Sequence, residues 1–579
     1  MPISGASDTR RPPENGMAAI WARRGGDGHD LGLWDASAPP CALRPAMGTS
    51  VTALFIAPAN QPFSGRVFHY LLEDRAASAA QKPCLVMEDR SLTWAEADAE
   101  VNRWANGLAA TGVAKGDRVL LMISSGIDHI LIWLALCKLG AIMVPVNDAY
   151  HGAMLRHQVN DSEAALAIVA AQHLPVWIAL AADMPHLRQI AVLDGAAPDT
   201  PAPWGWSDAA ALHSTNAAPL PRVVQPHDPM AIFYTSGTTG PSKGVLYSYA
   251  QAWTTAEVPA AWCAPDDVFY MFLPMFHVGL SQMFGLTLLA GATMAIRPRF
   301  SASAFWPDVR RYGATMTILL SSMPNFLLSV APSHDDRNHT LTKAIVIPPP
   351  ADLDTLKSRF GLQIATWFNM TEVSVPLCSD GFTLTNATSS GRPRPGITAR
   401  IVDDTDTPLP PGSTGELVLR ADRPWDFCLG YWKNPAKTVE AWRNLWFHTG
   451  DAFRTDAEGN FYFVDRLKDA IRRRGENISS FEVERELDSH PAVLESAAVA
   501  VPSGMGEDDI KAVVALKPGA TLTAPDLHAY LIPRLPAYMV PRYIEILATD
   551  LPKTPTGKTV KATLRASGTA AAWEAPGKS

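Results

Sequence analysis

The sequence predicts a multidomain α/β protein, with a large N-terminal lobe built on parallel sheets and a small α+β domain after it. Three observations carry that expectation. The 579 residues exceed what one ordinary hydrophobic core organises. Apolar runs alternate with helical patterns through most of the chain, the rhythm of strand, helix and parallel strand. After Asp465 the texture changes to shorter elements.

Residues 1–46 mix Arg, Gly, Pro and Asp without periodicity and lack the apolar run of a secretory signal. They are expected to form a disordered tail, with Met47 as an alternative start. From Arg118 to Val146, an apolar run (Val119 to Ile123), a helical pattern (Ile127 to Leu139) and a second apolar run (Ala141 to Val146) predict a βαβ unit. The most apolar stretch, His129 to Val146, is broken by Lys138, Gly140 and Pro145, which suits a core better than a membrane span. The stretch between Gly195 and Pro229, rich in Pro and Ala, reads as a long surface connection. The βαβ rhythm returns with Met271 to Leu273, Leu280 to Leu289, Thr293 to Ile296, Phe305 to Tyr312 and Thr315 to Leu320. Beyond Asp465, helices are expected at Phe481 to Ser489 and Pro525 to Leu535, and strands at Ser496 to Val501 and Lys511 to Lys517.

Composition narrows the class. Hydrophobic residues at 47% and charged residues at 18% are ordinary globular values. A net charge of -8 and a pI near 6.0 disfavour a nucleic-acid partner. Cys41, Cys84, Cys137, Cys263, Cys378 and Cys428 are scattered singly, with no Cys-x-x-Cys pair and no zinc-ligand spacing. They read as buried thiols in a reducing, cytoplasmic compartment.

The segment Tyr234-Thr-Ser-Gly-Thr-Thr-Gly-Pro-Ser-Lys-Gly-Val245 follows an apolar strand and concentrates hydroxyls and glycines in one loop. Gly237, Gly240 and Gly244 let backbone N–H groups converge on an anion, Ser236, Thr238 and Thr239 add hydroxyl donors, and Lys243 adds a point charge. No register of the segment supplies the Walker A spacing, so the classic ATPase reading weakens.

Thr235 to Gly244 resembles the signature loop of the adenylate-forming superfamily of acyl-CoA synthetases, luciferases and peptide-synthetase adenylation domains. Five further segments are similar to that superfamily in order. Phe368-Asn-Met-Thr-Glu372 implies an aromatic on adenine, Asn369 and Met370 beside the nucleotide, Thr371 at the α-phosphate, and Glu372 with Thr235 as magnesium ligands. Trp446-Phe-His-Thr-Gly-Asp451 implies that Asp451 accepts both ribose hydroxyls. Phe463-Val-Asp-Arg-Leu-Lys-Asp469 implies Arg466 near the ribose and Lys468 as the hinge. Arg474-Gly-Glu-Asn-Ile478 implies Gly475 in the thiol tunnel, although Arg474 stands where relatives often show a second glycine. Leu551-Pro-Lys-Thr-Pro-Thr-Gly-Lys558 implies Lys558 as the lysine that bridges carboxylate and α-phosphate.

The resemblance therefore implies an N-terminal AMP-binding domain over 47–467, a mobile C-terminal domain over 468–565 and a tail over 566–579. It implies an ATP-dependent carboxylic acid:CoA ligase acting through an acyl-adenylate, with ATP, magnesium and coenzyme A. The segments Phe300 to Trp306, Tyr312 to Thr315 and Phe461 to Arg466 are most similar to the crotonobetaine/carnitine-CoA ligase branch. His277, Phe276 and Asn369 would border the acyl pocket, and Asn369, where relatives carry glycine, favours a short or polar acid. Trp367, Phe276 and Trp306 could cage a quaternary ammonium. Ile347-Pro-Pro-Pro350 departs from the family pattern at the adenine and acyl edge. The alternatives are a module that loads a carrier-protein thiol, a luciferase-like oxygenase, and a non-catalytic nucleotide binder, which would be expected to lack Lys558 or Glu372. The oligomeric state stays open, with a homodimer among the options.

Overall fold

The computed structural model describes residues 62–576 other than 236–241, 321–322, 351, 468–470, 474–475, 479, 504–507 and 555–556, and only the backbone of Arg472, Glu476 and Asn477. Residues 1–46, Cys41 and Met47, singled out above, lie outside the described residues.

Two mixed, mainly parallel sheets flank a layer of helices. One sheet runs, in spatial order, Gln363–Ala365, Lys343–Ile347, Met316–Leu320, Val268–Met271, Thr293–Ile296, Pro83–Met87 and Arg90–Thr93, parallel except for the last pair. The other runs Gly430–Tyr431, Lys243–Ser248, Pro229–Thr235, Ile142–Pro145, Arg118–Met122, Leu166–Ala170, Gln189–Leu193 and Gly205–Asp208. Its first two pairs are antiparallel and the rest parallel. The expected βαβ unit is present, with Arg118 paired to Ile142 in parallel register. The stretch read as a surface connection contributes the edge strand Gly205–Asp208, too short and too polar to show a period.

Helices Ile127–Leu139, Tyr249–Ala260 and Gly279–Ala290 are buried almost all round. That is why Ile127–Leu139 shows no polar stripe: an apolar surface on every side belongs to a helix with neighbours on every side. Trp133 meets Phe68 and Phe284 edge-on at 6.1 and 5.8 Å inside this layer. The helix ends at Gly140, whose φ of +70° permits the left-handed cap that Ala141 N–H closes on Leu136 C=O.

A third sheet, antiparallel throughout, joins Trp367–Phe368, Leu377–Cys378, Ser389–Pro393, Phe461–Arg466, Phe447–Thr455, Thr414–Ala421 and Ile397–Val402. The small C-terminal domain follows, with the hairpin Ile471–Arg473 and Glu476–Ile478 and a sheet of Val493–Pro502, Asp508–Leu516, Tyr543–Leu547 and Trp573–Glu574. Trp573–Glu574 lies in the segment expected as a tail and is instead an edge strand; two ordered residues leave no periodic signal. Across the junction, Ser480 N–H donates to Asp465 Oδ2 at 2.7 Å. Among the described residues no helix is long and apolar enough to cross a membrane. The described cysteines are free, three of them buried and Cys263 and Cys378 half-buried.

Candidate active site

Strand Pro229–Thr235 delivers the chain to the hydroxyl-rich loop, and Lys243–Ser248 takes it back antiparallel, with Thr235 paired to Lys243. Ser236, Gly237, Thr238, Thr239 and Gly240 lie outside the described residues. The stems around them are held from the side by helix Gly152–Ser162: Tyr234 donates to Asp161 Oδ2 at 2.7 Å, and His157 Nε2 donates to Ser242 C=O at 2.8 Å. Gly244 has no room for a Cβ, which would stand 2.6 Å from Ile232 Cγ2.

Glu372 is buried behind this hairpin. Tyr431 donates to its Oε1 at 2.9 Å, and Lys243 Nζ lies 5.2 Å from the Tyr431 ring centroid. Burial raises the Glu372 pKa, and the Tyr431 hydroxyl, Arg466 and Lys243 pull it back. The neighbouring backbone is fixed by buried polar groups: Gln251 Nε2 donates to Thr371 C=O at 3.0 Å, and Arg394 Nε donates to the carbonyls of Ser374 and Val375 at 3.1 and 3.2 Å. Arg394 lies 3.5 Å from buried Asp426, which also accepts from Thr254 and Arg423. Asn369 Oδ1 accepts from Val375 N–H at 2.9 Å, and Val375 holds a φ of +43°. The amide oxygen of Asn369 is thus paired within the loop, so its influence on a pocket is through volume and not through an unmet hydrogen bond.

Asp451 and Arg466 face each other on paired strands, Arg466 Nε 3.4 Å from Asp451 Oδ1. Asp451 is 3% exposed, and burial raises its carboxyl pKa to about 6 against the opposing pull of Arg466 and Lys558. Lys558 belongs to the small domain, so its pull on Asp451 acts across the junction between the two domains. Glu416 braces the same segment, accepting from Gly450 N–H at 2.9 Å and contacting His448 Nδ1 at 2.9 Å. Phe368 is half-buried with its ring edge-on to Phe453 at 5.0 Å, and Met370 C=O accepts from Val373 N–H at 3.2 Å.

His277 opens onto solvent, yet the protein packed around it lowers its pKa to about 4. Its Nδ1 accepts from Gly279 N–H at 3.3 Å, which leaves the neutral ring's proton on Nε2. Phe276 beside it is half-buried. The other aromatics considered for a cage are committed elsewhere: Trp306 stacks on His339 at 4.4 Å, and buried Trp367 packs on Trp262. Lys468 and Gly475 lie outside the described residues.

Glu372, Lys243, Asp451, Arg466 and Lys558 therefore come together from distant parts of the chain. Tyr431, Asp161, His157, Glu416 and Arg394 support them and were not singled out by sequence. Tyr431 had a signal in Gly430-Tyr-Trp432; the others are visible only through their partners.

The AMP-binding enzyme family matches residues 72–432, and its C-terminal domain matches residues 482–558. The chain belongs to the AMP-binding enzyme family. Crotonobetaine/carnitine–CoA ligase of Escherichia coli O1:K1 / APEC is 32% identical over 522 residues, 86% of this chain and 99% of that protein. The ligase of the same name from Salmonella heidelberg (strain SL476) is 30% identical over the same length. Among solved structures, the anthranilate CoA ligase AuaEII in complex with anthranoyl-AMP gives a TM-score of 0.79 at 25% identity, covering 88% of this chain and 98% of that one. ATP-bound MatB from Rhodopseudomonas palustris gives 0.75 at 26% identity, covering 87% and 98%. The family member described here is thus an AMP-forming acyl-CoA ligase of the adenylate-forming superfamily, an ATP-binding enzyme with a large N-terminal and a small C-terminal domain.

Proposed function

We propose that this ligase activates a short or polar carboxylic acid as its acyl-adenylate and then passes the acyl group to coenzyme A. The observation that carries the proposal is buried Asp451 set 3.4 Å from Arg466 on the neighbouring strand, a carboxylate on which Lys558 of the small domain also exerts its charge. A lysine delivered to the nucleotide side of the cleft by a separate domain is what an adenylating step needs.

The chemistry follows from charge. A carboxylate must approach a phosphorus already surrounded by negative oxygens, so positive charge at the reacting centre dominates catalysis. Lys558 bridges the acid and the α-phosphate, Thr371 contacts that phosphate, and Asp451 and Arg466 hold the ribose. Phe368, Asn369 and Met370 line the adenine. Thr235 to Gly244, with Lys243, holds the departing pyrophosphate in line. Among the described residues no cluster of three or more His, Cys, Asp or Glu side chains could hold a metal alone. One buried carboxylate beside phosphate oxygens is the ligation magnesium takes, which fits Glu372 with Thr235. Bound there, magnesium would neutralise charge on the phosphate oxygens. Rotation about Lys468 then withdraws Lys558 and brings the face bearing Gly475 to the anhydride for the thiol.

Asn369 supports the small-acid reading because its amide is anchored on Val375 and cannot swing aside to admit a longer chain. His277 and Phe276 would border the same pocket. Two of the relatives are named for crotonobetaine/carnitine and for anthranilate, and here Trp306 stacks on His339 and Trp367 packs on Trp262, which argues against their forming a cage for a quaternary ammonium. The test is pyrophosphate release with ATP and magnesium across acetate, propionate, crotonate, γ-butyrobetaine, crotonobetaine, benzoate, octanoate and palmitate, with and without coenzyme A. CoA-dependent turnover of a short or polar acid is the expected result. Preference for palmitate would overturn the pocket reading, and pyrophosphate release indifferent to coenzyme A would point to a carrier-protein thiol.

A further inference from the structure

Lys558 sits on a loop tied down at both ends. Before it, Lys553 Nζ lies 2.6 Å from Glu495 Oε2, while Glu495 Oε1 accepts from Leu551 N–H at 3.3 Å. After it, Lys561 Nζ lies 2.8 Å from Glu484 Oε1 and also donates to Ser480 Oγ. Within the loop, Thr554 N–H donates to Lys558 C=O at 2.6 Å and Lys558 N–H donates to Thr554 Oγ1 at 3.1 Å. Glu484 and Glu495 stand on the helix Ser480–Asp488 and the strand Val493–Pro502, so the small domain presents the loop from its own framework.

Lys553 makes a contact that crosses between domains. Its ammonium lies 5.1 Å from the centroid of the Phe326 ring, on the large-domain helix Met323–Ser329. That helix packs against the strand carrying Glu495. A continuous path therefore runs from buried Glu495, through Lys553, to an aromatic face of the large lobe, five residues from Lys558 along the chain.

We propose that Lys553 is a positioning residue for adenylation: pinned by Glu495 and seated on Phe326, it docks the Lys558 loop against the large domain in the pose that brings Lys558 to the nucleotide. This rests on the reading of Lys558 given above. A contact biases a two-pose equilibrium only as far as it is made in one pose and not the other. Rotation of the small domain takes Lys553 off the Phe326 ring, whereas the Glu495 pair travels with it. A cation–π contact of this kind biases such an equilibrium by about two- to thirtyfold.

The experiment compares full-length wild type with K553M, K553R, F326L, the K553M/F326L double variant and K558A, using the acid selected by the substrate panel. Adenylation is read by pyrophosphate exchange, and thioester formation by adding coenzyme A to the synthetic acyl-adenylate. K553M is expected to lower adenylation about tenfold and F326L about threefold, with K553R restoring most of it. The double variant should fall no lower than K553M, because the shared contact is already gone. Thioester formation should change by less than about twofold, since Lys553 acts only in the adenylating pose. Equal loss of both half-reactions, or additive losses in the double variant while K558A fails to adenylate, would overturn the proposal alone. Normal adenylation by K558A would overturn it together with the reading of Lys558.

Discussion

Asp451→Asn is expected to stabilise the free protein above pH 6 while weakening ATP binding, because this carboxylate, proposed to hold the ribose, is buried at a cost to the fold. Burial raises its pKa from 3.8 to about 6, even with Arg466 and Lys558 pulling the other way. Below about pH 4 the group is protonated in the folded and unfolded chain alike, and the amide gains nothing. Above about pH 6 it is ionised in both, and the folded state bears the full difference. Roughly two pKa units at 1.36 kcal/mol each give about 3 kcal/mol, with about half of that expressed at pH 5. The contribution of the raised carboxyl is thus most favourable in acid and is lost as pH rises through 6. For a cooperative unit the size of the large domain, about 3 kcal/mol corresponds to a rise in Tm of about 4 °C. Losing the charged acceptor proposed for the two ribose hydroxyls should raise the KM for ATP by about ten- to a hundredfold. Thermal unfolding of both proteins at pH 8 and pH 5, with ATP titrations at pH 8, supplies both readings. Equal Tm values at pH 8, or a gap that widens toward acid, would refute the reasoning.

Glu372→Gln keeps an acceptor for Tyr431 but removes the charge, so adenylation should fall by about a hundredfold and half-saturation by magnesium should move upward; an unchanged magnesium dependence would place the metal elsewhere. Asn369→Gly should extend tolerance to longer acids, each accepted methylene contributing about 0.8 kcal/mol, and should also perturb ATP binding because Val375 N–H loses its partner. An unaltered chain-length profile would locate the pocket floor at other residues. Leu445 is 72% exposed with a φ of +61°, so Leu445→Gly relieves left-handed strain and should stabilise by up to about 1 kcal/mol; a urea midpoint that stays or falls would count against this.

The fold was legible wherever burial is two-sided. The strands Arg118–Met122 and Thr293–Ile296 read as apolar runs, and Ile127–Leu139 as a helical pattern, because both faces of their layers are covered. The edge strands Gly205–Asp208 and Trp573–Glu574 were not legible, because at an edge backbone pairing fixes the strand and side chains carry no period. In the site, the groups proposed to touch a nucleotide sit in compact sequence patterns. The residues that hold them, such as Asp161 under Tyr234 and Arg394 under Val375, are brought in by topology. Asn369 marks the limit of reading one residue at a time: its volume was foreseen, but its bond to Val375 depends on a left-handed turn that the sequence Thr371-Glu-Val-Ser-Val375 does not announce.

The chain carries a net charge of -8, yet three cations from separate elements, Lys243, Arg466 and Lys558, act on the two buried acids Glu372 and Asp451. Lys243 and Arg466 belong to the large domain and Lys558 to the small one, which on the proposed mechanism moves between the half-reactions. While Lys558 is present it eases the burial of an ionised Asp451, and when it leaves only Arg466 of that pair remains. A carboxylate with less compensation accepts hydrogen bonds more strongly, so the ribose hydroxyls of the adenylate become its main relief. On the proposed roles, the rotation that opens the anhydride to the thiol also tightens the hold of Asp451 on the ribose. Linkage makes the converse hold as well: an adenylate bound at Asp451 lowers the need for Lys558 there and so favours its departure. Domain alternation would then be coupled to the first half-reaction through one buried carboxylate.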